Sequence, residues 1–180
     1  IDFSNSECAF NNIEFCINHN TPIVSGTTGW QEKIIDSKRL CLKQKGAFLH
    51  SPNFSIGMNL FFQINDYVSK LMRDKEYQIE IKEKHHIMKK DNPSGTAIKI
   101  ANTIFNNLDK KNGANIPIIA KRIGKLKGEH VVNYISDIDE IKIMHKAKKR
   151  SGFAKGAILA AEFIHKKTGF FTMNDVIKSL

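Results

Sequence analysis

The order of apolar and polar residues in the first 54 positions predicts short strands that alternate with helices. Consecutive apolar residues are typical of buried strands, whereas apolar residues three or four positions apart are typical of a helix with one buried face. The predicted elements are, in chain order, the end of a strand at Ile1–Phe3, a helix capped by Ser6 with Ala9, Phe10, Ile13 and Ile17 on its buried face, a strand at Pro22–Ser25, a helix from Gln31 to Lys45 stopped by Gly46, and a strand at Ala47–His50. Such short alternating units predict a parallel sheet with right-handed crossovers.

The rest of the chain predicts a second region that is richer in strand. It begins with a long helix from Gly57 to Lys75, with Leu60, Ile64, Val68 and Leu71 on one face, and a strand at Tyr77–Lys82. A second helix runs up to Asp109, with a basic last turn at Lys110–Gly113, and its apolar face comprises Ala97, Ile100, Ala101, Ile104, Phe105 and Leu108. Strands at Ile116–Lys121, Glu129–Ser136 and Ile141–Lys148 are followed by a final helix that ends at Thr168–Gly169 and has Phe153, Ala157, Ala160, Ala161 and Ile164 on its apolar face. The predicted fold class is therefore α/β, in which a parallel sheet precedes a mostly β domain of about four strands.

Residues that can carry chemistry are concentrated between a predicted strand and a predicted helix, in the segment Glu83–Ala97. His85, His86 and Lys89 follow the alternating strand, and a Pro-Ser-Gly-Thr turn at 93–96 opens the helix. The first turn of a helix has unpaired N–H groups and the positive end of the helix dipole, so it favours an anion.

The side chains of this turn strengthen the prediction of an anion site. Gly95 lets a ligand approach the main chain, and Ser94 and Thr96 offer hydroxyl donors. A small dicarboxylate fits these donors and the charge of Lys89 better than a neutral molecule does. A histidine pair also suits an ordinary surface, and the turn also suits a helix cap. Because all these features share one strand-to-helix crossing, we interpret the segment as a binding site.

Two further polar loops follow strands of the predicted parallel sheet. They are Ser25–Gly29, with the sequence Ser-Gly-Thr-Thr-Gly, and Ser51–Phe54, with the sequence Ser-Pro-Asn-Phe. Ligands of parallel sheets bind beyond the carboxyl ends of the strands, so these loops predict a cofactor edge. Taken alone, Gly-Thr-Thr-Gly also suits a plain tight turn. The phosphate-binding pattern Gly-x-Gly-x-x-Gly does not occur in the 180 residues.

These motifs resemble those of the bacterial dihydrodipicolinate reductase (4-hydroxy-tetrahydrodipicolinate reductase) family. The segment 83–97 is similar to the family pattern Glu-x-His-His-x-x-Lys-x-Asp-Ala/Ser-Pro-Ser-Gly-Thr-Ala, with Asn92 in place of the usual small residue. Further similar segments, in order along the chain, are Ser25–Gly29, Ser51–Asn59, Gly128–His130 and His145–Ala147. The resemblance implies a Rossmann-like nucleotide domain whose phosphate-binding fingerprint lies upstream of Ile1, so we expect an N-terminally truncated chain.

The resemblance also implies a division of the chain and a set of roles. Residues 1–54 would be the remaining part of the dinucleotide-binding domain, 55–152 a substrate-binding and oligomerisation domain, and 153–180 a helix that returns to the nucleotide domain. The implied activity is reduction of the cyclic 2,6-dicarboxylate of lysine and diaminopimelate biosynthesis by NADH or NADPH, in a cytoplasmic homotetramer. The residue that selects between the two cofactors would lie upstream.

Individual roles follow from the matching positions. His85 would act as general acid near neutral pH, and Lys89 would supply positive charge and a second proton. The implied substrate-binding residues are His86, Ser94, Gly95 and Thr96. The implied cofactor-binding residues are Gly26, Thr27, Thr28, Ser51, Pro52, Asn53 and Phe54. No metal site is predicted.

Composition excludes several other classes of protein. The hydrophobic share of 41% and charged share of 26% are typical of soluble globular proteins, without an apolar run long enough for a membrane span. The three cysteines (Cys8, Cys16 and Cys41) include no Cys-x-x-Cys and argue for a reduced compartment without zinc or disulfides. The net charge of +10 comes mainly from scattered lysines, which favours a solvated surface and would attract a dianionic substrate.

Three other functions stay open on the sequence alone. A lysine-rich nucleic-acid-binding module would interleave aromatic with basic residues, a feature that this chain lacks. A related two-domain oxidoreductase with another substrate is disfavoured by the Lys-x-Asp-x-Pro-Ser-Gly-Thr spacing. A non-catalytic fragment or assembly domain stays open because the phosphate-binding fingerprint is missing from the sequence.

Overall fold

The computed structural model describes residues 1–108 and 116–180, which form two units. One unit comprises residues 1–59 and 151–180, and the other comprises residues 60–150. The basic last turn predicted at Lys110–Gly113, and the predicted helix end at Asp109, lie outside the described residues.

The helices are α1 (Ser6–Asn18), α2 (Ile34–Lys43), α3 (Ile56–Leu71), α4 (Gly95–Asn107), α5 (Ser151–Ile164) and α6 (Met173–Lys178), and a 3-10 turn at Gln31–Lys33 precedes α2. The strands are β1 (Ile23–Ser25), β2 (Ala47–His50), β3 (Gln78–His85), β4 (Ile118–Arg122), β5 (Glu129–Ile135), β6 (Glu140–Lys146) and β7 (Gly169–Phe171). The described part contains no helix that is both long and apolar enough to cross a membrane. All three cysteines are free thiols.

The first unit is a parallel sheet with helices on both faces. The strand order is β1-β2-β7, and every pairing is parallel. Phe48 packs in one apolar cluster with Ile13 of α1 and Cys41 of α2, whereas its neighbour Leu49 packs in another cluster with Ala160 of α5. Because successive strand residues point to opposite faces, the two helix pairs cover opposite sides of the sheet. This arrangement confirms the predicted parallel α/β fold.

Several predicted details of the first unit are wrong. Asn5, rather than Ser6, caps α1, because its side chain accepts hydrogen bonds from two N–H groups of the first turn at 3.1 and 3.0 Å. Helix α2 ends at Lys43 rather than Lys45, and Lys45 takes the left-handed conformation (φ 53°) directly before Gly46.

The two ends of the chain also differ from the prediction. The expected strand at Ile1–Phe3 is reduced to one bridge between Asp2 and Ser25. The predicted final helix ends at Ile164, and β7 and α6 follow. These two elements escaped prediction because three and six residues are too few to establish a period.

The second unit is built on a four-stranded mixed sheet with the order β4-β3-β5-β6, which confirms the predicted mostly β region. The central strand β3 is parallel to β4 and antiparallel to β5. Ile81, Glu83 and His85 alternate along β3 and are buried, so two polar residues follow an apolar one on the same face.

The apolar face predicted for the long helix α3 is wrong. Leu60 and Ile64 are 43% and 49% exposed, whereas Asn65 and Ser69 are fully buried. The buried face instead joins Phe61 and Phe62 to these two polar residues, and Asn65 Nδ2 donates to the Ile100 carbonyl at 3.4 Å. Likewise, Asn107 Nδ2 donates to Ser69 Oγ at 2.8 Å. Binary patterning cannot find the part of a helix face that is buried through amides and hydroxyls.

Helix α4 follows the predicted pattern more closely. Ala97, Ile100 and Ile104 are fully buried, although Phe105, which was placed on the same face, is 49% exposed. Ser94 caps the helix by accepting a hydrogen bond from Ala97 N at 3.2 Å. The buried face of α4 therefore fixes the position of its first turn, where the predicted anion donors lie.

Candidate active site

The carboxylate of Glu83, near the end of β3, lies at the centre of a buried polar cluster. Glu83 has no solvent exposure. Its Oε1 accepts a hydrogen bond from Ser94 N at 3.0 Å, and its Oε2 accepts one from the Ser94 hydroxyl. These two contacts attach the first turn of α4 to the end of the strand.

Two imidazole rings share the second oxygen of this carboxylate. His85 Nε2 lies 3.3 Å from Glu83 Oε2, and His130 Nε2 lies 3.6 Å from the same atom. The two Nε2 atoms are 3.3 Å apart. His130 comes from β5, where it is the direct partner of Glu83 in the antiparallel ladder. The register of two strands therefore brings both histidines to one carboxylate.

The protonation of the cluster follows from burial and hydrogen bonding. Burial alone would raise the pKa of Glu83, but hydrogen bonds from His130, His85 and Ser94 outweigh it and hold that pKa below its ordinary value. For His130, burial lowers the pKa more than the Glu83 carboxylate raises it. We infer an ionised Glu83 and a neutral His130 at pH 7.

Arg122, the partner of His85 on β4, supplies the positive charge that Glu83 needs. Arg122 Nη2 lies 3.1 Å from Glu83 Oε1 and also donates to the Asp91 carbonyl. Its Nε donates to the Lys89 carbonyl at 3.3 Å. One guanidinium thus neutralises the buried carboxylate and holds the loop that carries Lys89.

The loop before α4 already binds a carboxylate of its own. Lys89 Nζ lies 2.7 Å from Asp91 Oδ1, and Gly95 N donates to Asp91 Oδ2 at 3.4 Å. Burial raises the pKa of Asp91, but the hydrogen bond and charge of Lys89, together with main-chain hydrogen bonds, outweigh it and lower that pKa. Lys89 and Gly95, both predicted to bind an anion, therefore converge on one. An ammonium has three N–H donors, so Lys89 can bind a second carboxylate without releasing Asp91.

His86 has a different partner from its neighbour in the sequence. It is half-buried, and its Nε2 lies 3.2 Å from Arg150 Nη2. Partial burial, followed by the charge of Arg150, lowers the pKa of His86. A neutral His86 ring accepts the hydrogen bond from the guanidinium, and this places a cationic group beside the histidine pair of the sequence.

Gly128 lies against the ring of His85. It has φ +135°, and a Cβ at this position would be 3.1 Å from His85 Cε1 and 3.4 Å from His85 Nδ1. The absence of a side chain at Gly128 therefore leaves room for the ring, on the side away from Glu83.

The structure groups the predicted substrate-site residues in three places. His85 and Ser94 meet at Glu83, Lys89 and Gly95 meet at Asp91, and His86 meets Arg150. Thr96 is half-buried in the first turn of α4. The site prediction omitted Glu83, Arg122 and His130. One signal could have found Glu83, because a polar residue on the buried face of a strand requires partners.

The predicted cofactor loops of the first unit divide into supporting and accessible residues. The hydroxyl of Thr27 donates to Asp2 Oδ2 at 2.8 Å, and its carbonyl accepts from Trp30 Nε1 at 2.7 Å. A Cβ at Gly26 would lie 2.1 Å from the Phe3 ring. Thr28, by contrast, is exposed. Thr27 and Gly26 therefore shape the loop, and Thr28 offers a free surface.

The second loop shows the same division. The Ser51 hydroxyl donates to the Asn53 carbonyl at 2.8 Å, and Phe54 is buried with its ring edge-on to Phe3 at 5.4 Å. Asn53 is half-buried and Pro52 is exposed. Asn53 and Pro52 are thus the accessible residues of this loop.

A metal site was not predicted, but one cluster has suitable atoms. Glu83, His85 and His130 each offer a ligand atom, and these atoms lie within 4.8 Å of one another. Both Glu83 oxygens already accept hydrogen bonds from Ser94, and Arg122 adds a positive charge. We therefore interpret the cluster as a hydrogen-bonded ion network.

The fold and the site define a class of protein with two parts. One is a parallel α/β unit with polar loops beyond its strands, and the other is a mixed-sheet unit with a buried carboxylate–histidine network beside an anion-binding turn. The first part is typical of α/β proteins that bind ligands at the carboxyl ends of parallel strands.

Comparison with known proteins identifies the family. The family model described as "Dihydrodipicolinate reductase, N-terminus" matches residues 1–54, and that described as "Dihydrodipicolinate reductase, C-terminus" matches residues 57–177. The 4-hydroxy-tetrahydrodipicolinate reductase of Christiangramia forsetii is 45% identical over 100% of this chain and 79% of its own length. The enzyme of that name from Aquifex aeolicus is 37% identical over 98% and 72%. The chain belongs to the dihydrodipicolinate reductase family.

A solved structure shows the same fold. The dipicolinate-bound dihydrodipicolinate reductase from Paenisporosarcina sp. TG-14 matches with a TM-score of 0.77, at 23% identity, over 95% of this chain and 70% of that one.

Proposed function

We propose that the protein reduces dihydrodipicolinate, formed from 4-hydroxy-tetrahydrodipicolinate, to tetrahydrodipicolinate in lysine and diaminopimelate biosynthesis. Family membership is the main support, since relatives that are 45% and 37% identical to this chain over the aligned residues carry this activity in their names. The observation on the molecule that carries the proposal is the convergence of Lys89 Nζ and Gly95 N on one carboxylate. A lysine-rich nucleic-acid-binding module would not require this arrangement.

The proposed substrate is a ring that bears two carboxylates. The Asp91 carboxylate, which accepts from both Lys89 and Gly95, marks a position where the loop satisfies an anion. We propose that the substrate binds through the remaining donors of Lys89, the hydroxyl of Thr96 and the side chain of His86. The name of the structural neighbour records bound dipicolinate, an aromatic ring with two carboxylates, and this supports the same class of ligand.

Ser94 differs from the other proposed substrate ligands. Both its hydroxyl and its N–H donate to Glu83, and the hydroxyl also accepts from Ala97 N. A substrate carboxylate would have to replace Glu83 to use either donor. We therefore propose that Ser94 contributes mainly by holding the first turn of α4.

His85 is proposed to supply the proton of the reaction. The reduction adds one hydride and one proton across a conjugated bond of the ring, so negative charge that develops on the ring must be neutralised. His85 is 8% exposed and is held by Glu83, which suits a group that gives a proton to a bound ligand and regains one from solvent. Lys89 is proposed to supply positive charge, and the single proton of this step comes from His85.

Family membership implies a nicotinamide cofactor, and the first unit has residues that fit its nicotinamide end. The exposed Thr28, Pro52 and the half-buried Asn53 follow adjacent parallel strands, where such sheets bind ligands. The buried residues Thr27, Ser51 and Phe54 stabilise the two loops that carry these residues. When bound, the reduced cofactor would supply the hydride. Either NADH or NADPH is proposed.

Assembly and location belong to the same proposal. Ile119 and Met144, on the outer face of the mixed sheet, are 40% and 59% exposed, and such apolar residues favour contact with another copy. We propose a homotetramer, which light scattering would test. The three free thiols suit a cytoplasmic enzyme.

The proposed function is tested by consumption of reduced nicotinamide. The purified chain, incubated with enzymatically produced 4-hydroxy-tetrahydrodipicolinate and either NADH or NADPH, should lower absorbance at a rate proportional to protein and form tetrahydrodipicolinate. Intact mass measured on the same sample identifies the length of the active chain. Binding of dipicolinate without turnover would favour the alternative, a fragment that binds substrate and assembles but does not catalyse.

A further inference from the structure

We propose that Glu83 is the positioning residue of the reaction, and that it holds His85 through Nε2 so that Nδ1 is the nitrogen that delivers the proton. This inference rests on the proposed function, because it assumes that His85 is the acid. It assigns roles to Glu83, His130 and Gly128, which the sequence motifs did not place in the mechanism.

The first support is the position of His85 Nε2. His85 Nε2 is 3.3 Å from Glu83 Oε2 and 3.3 Å from His130 Nε2, so this nitrogen faces the buried carboxylate. An ionised carboxylate only accepts hydrogen bonds, so the tautomer that satisfies Glu83 carries a hydrogen on Nε2 of His85, and His130 Nε2 lies beside that hydrogen. In the neutral ring, Nδ1 then has no hydrogen, and it is the atom that exchanges the catalytic proton.

The second support is the geometry on the other side of the ring. The ring edge formed by Cε1 and Nδ1 lies against Gly128, where a Cβ would be 3.1 Å from Cε1 and 3.4 Å from Nδ1. Because Gly128 has no side chain, no atom of this residue's side chain blocks His85 Nδ1, the nitrogen that does not face Glu83. The carboxylate on one side and the missing side chain on the other define the orientation of the ring.

The third support is that Glu83 is itself fixed. Arg122 binds Oε1 at 3.1 Å, Ser94 donates to both oxygens, and His130 is 3.6 Å from Oε2. A carboxylate held from three elements can orient a ring without moving. Carboxylates that orient metal-bound histidines typically change activity by about 10- to 100-fold when removed, and we expect an effect of similar size where the histidine carries a proton instead.

The matched control is Glu129, another buried acidic side chain of the same sheet. Glu129 is 8% exposed and binds Lys84 at 2.8 Å and Lys146 at 3.4 Å. It lies one register pair from Glu83, so its side chain points to the opposite face. Glu129→Gln therefore removes one buried negative charge from the sheet without touching His85.

The kinetic test compares Glu83→Gln with Glu129→Gln. We expect Glu83→Gln to lower kcat about tenfold or more while KM for the dicarboxylate changes less than about threefold. Glu129→Gln should keep kcat. Equal kcat in the two variants, or a loss confined to KM, would overturn the positioning role. If the wild-type chain shows no turnover at all, the proposed function fails instead.

A second measurement does not depend on the folding of any variant. Long-range proton–nitrogen NMR spectra of the wild-type chain, with His85→Gln used for assignment, report which ring nitrogen carries hydrogen. We expect His85 in the neutral state to be protonated at Nε2. Protonation at Nδ1 would overturn the inference, whatever the activity of Glu83→Gln.

Discussion

The most informative single substitution is Gly128→Ala, because it acts on the His85 ring without removing a charged group. The new Cβ would lie 3.1 Å from His85 Cε1 and 3.4 Å from Nδ1, so the ring must retreat by a few tenths of an ångström. Gly128 also has φ +135°, a conformation that is costly for any other residue, by about 1–3 kcal/mol. The substitution should therefore reduce both stability and kcat.

Gly124→Ala separates backbone strain from the effect on the ring. Gly124 also has a positive φ, +48°, but a Cβ there would meet nothing within 4 Å. A left-handed alanine costs about 1–2 kcal/mol, so the two variants should lose similar amounts of folding free energy. Each kcal/mol should lower the melting temperature by about 2–4 °C in a protein of this size.

Activity should distinguish the two variants. Displacement of a catalytic group by 1 Å can cost about a hundredfold, so a few tenths of an ångström should lower kcat about tenfold in Gly128→Ala. Gly124→Ala should keep kcat within about twofold of wild type, at a temperature where both variants are folded. Steady-state oxidation of reduced nicotinamide at saturating substrate measures this difference. Equal kcat in Gly128→Ala and Gly124→Ala would refute the placement of the His85 ring against Gly128.

Three further outcomes are expected. Lys89→Ala should weaken binding of dipicolinate about 10- to 100-fold by calorimetry, because one charge-assisted contact contributes about 1.5–3 kcal/mol. Lys90 is exposed, and Lys90→Ala should leave this binding unchanged. Gly156→Ala should lower the free energy of unfolding in denaturant by about 3 kcal/mol, because its Cβ would be 1.8 Å from the Phe54 carbonyl oxygen. A Cβ at Gly152 would meet nothing within 4 Å, so Gly152→Ala should not destabilise the protein. The pKa of Asp2 is held below its ordinary 3.8 because hydrogen bonds to its carboxylate outweigh burial. The ionised carboxylate therefore stabilises the folded protein above that pH, and this contribution is lost on further acidification. Asp2→Asn should therefore flatten the dependence of stability on pH below about 4.

Each of these expectations can fail independently. Equal loss of dipicolinate binding in the two lysine variants would exclude a specific contact. Equal stability of the two glycine variants would contradict the close approach of α5 to the loop at Phe54. An unchanged acid slope in Asp2→Asn would mean that the Asp2 carboxylate does not contribute.

The sequence predicted those parts of the fold whose residues repeat over many positions. The strands β2 and β5 and the helix α4 were found because their apolar residues are aligned along one face or in one uninterrupted run. The face of α3 was not found, because Asn65 and Ser69 are buried through hydrogen bonds that depend on another helix. The left-handed Lys45 was likewise hidden, because glycine is the usual residue there.

The site was predicted in part for a related reason. The histidines, Lys89 and the helix turn lie within one short segment, so their proximity follows from local spacing. Arg122 and His130 come from β4 and β5, and only the strand register brings them to Glu83. No local sequence pattern predicts that register, although Glu83, Arg122 and His130 together position the His85 ring.

The most direct test of the account is turnover by His85→Gln with dipicolinate binding measured on the same sample. We predict that kcat falls by a factor of about 10²–10⁴, the usual contribution of a general acid, while the dissociation constant for dipicolinate changes less than about threefold. Full turnover by this variant would contradict the account, because the proton would then come from another group.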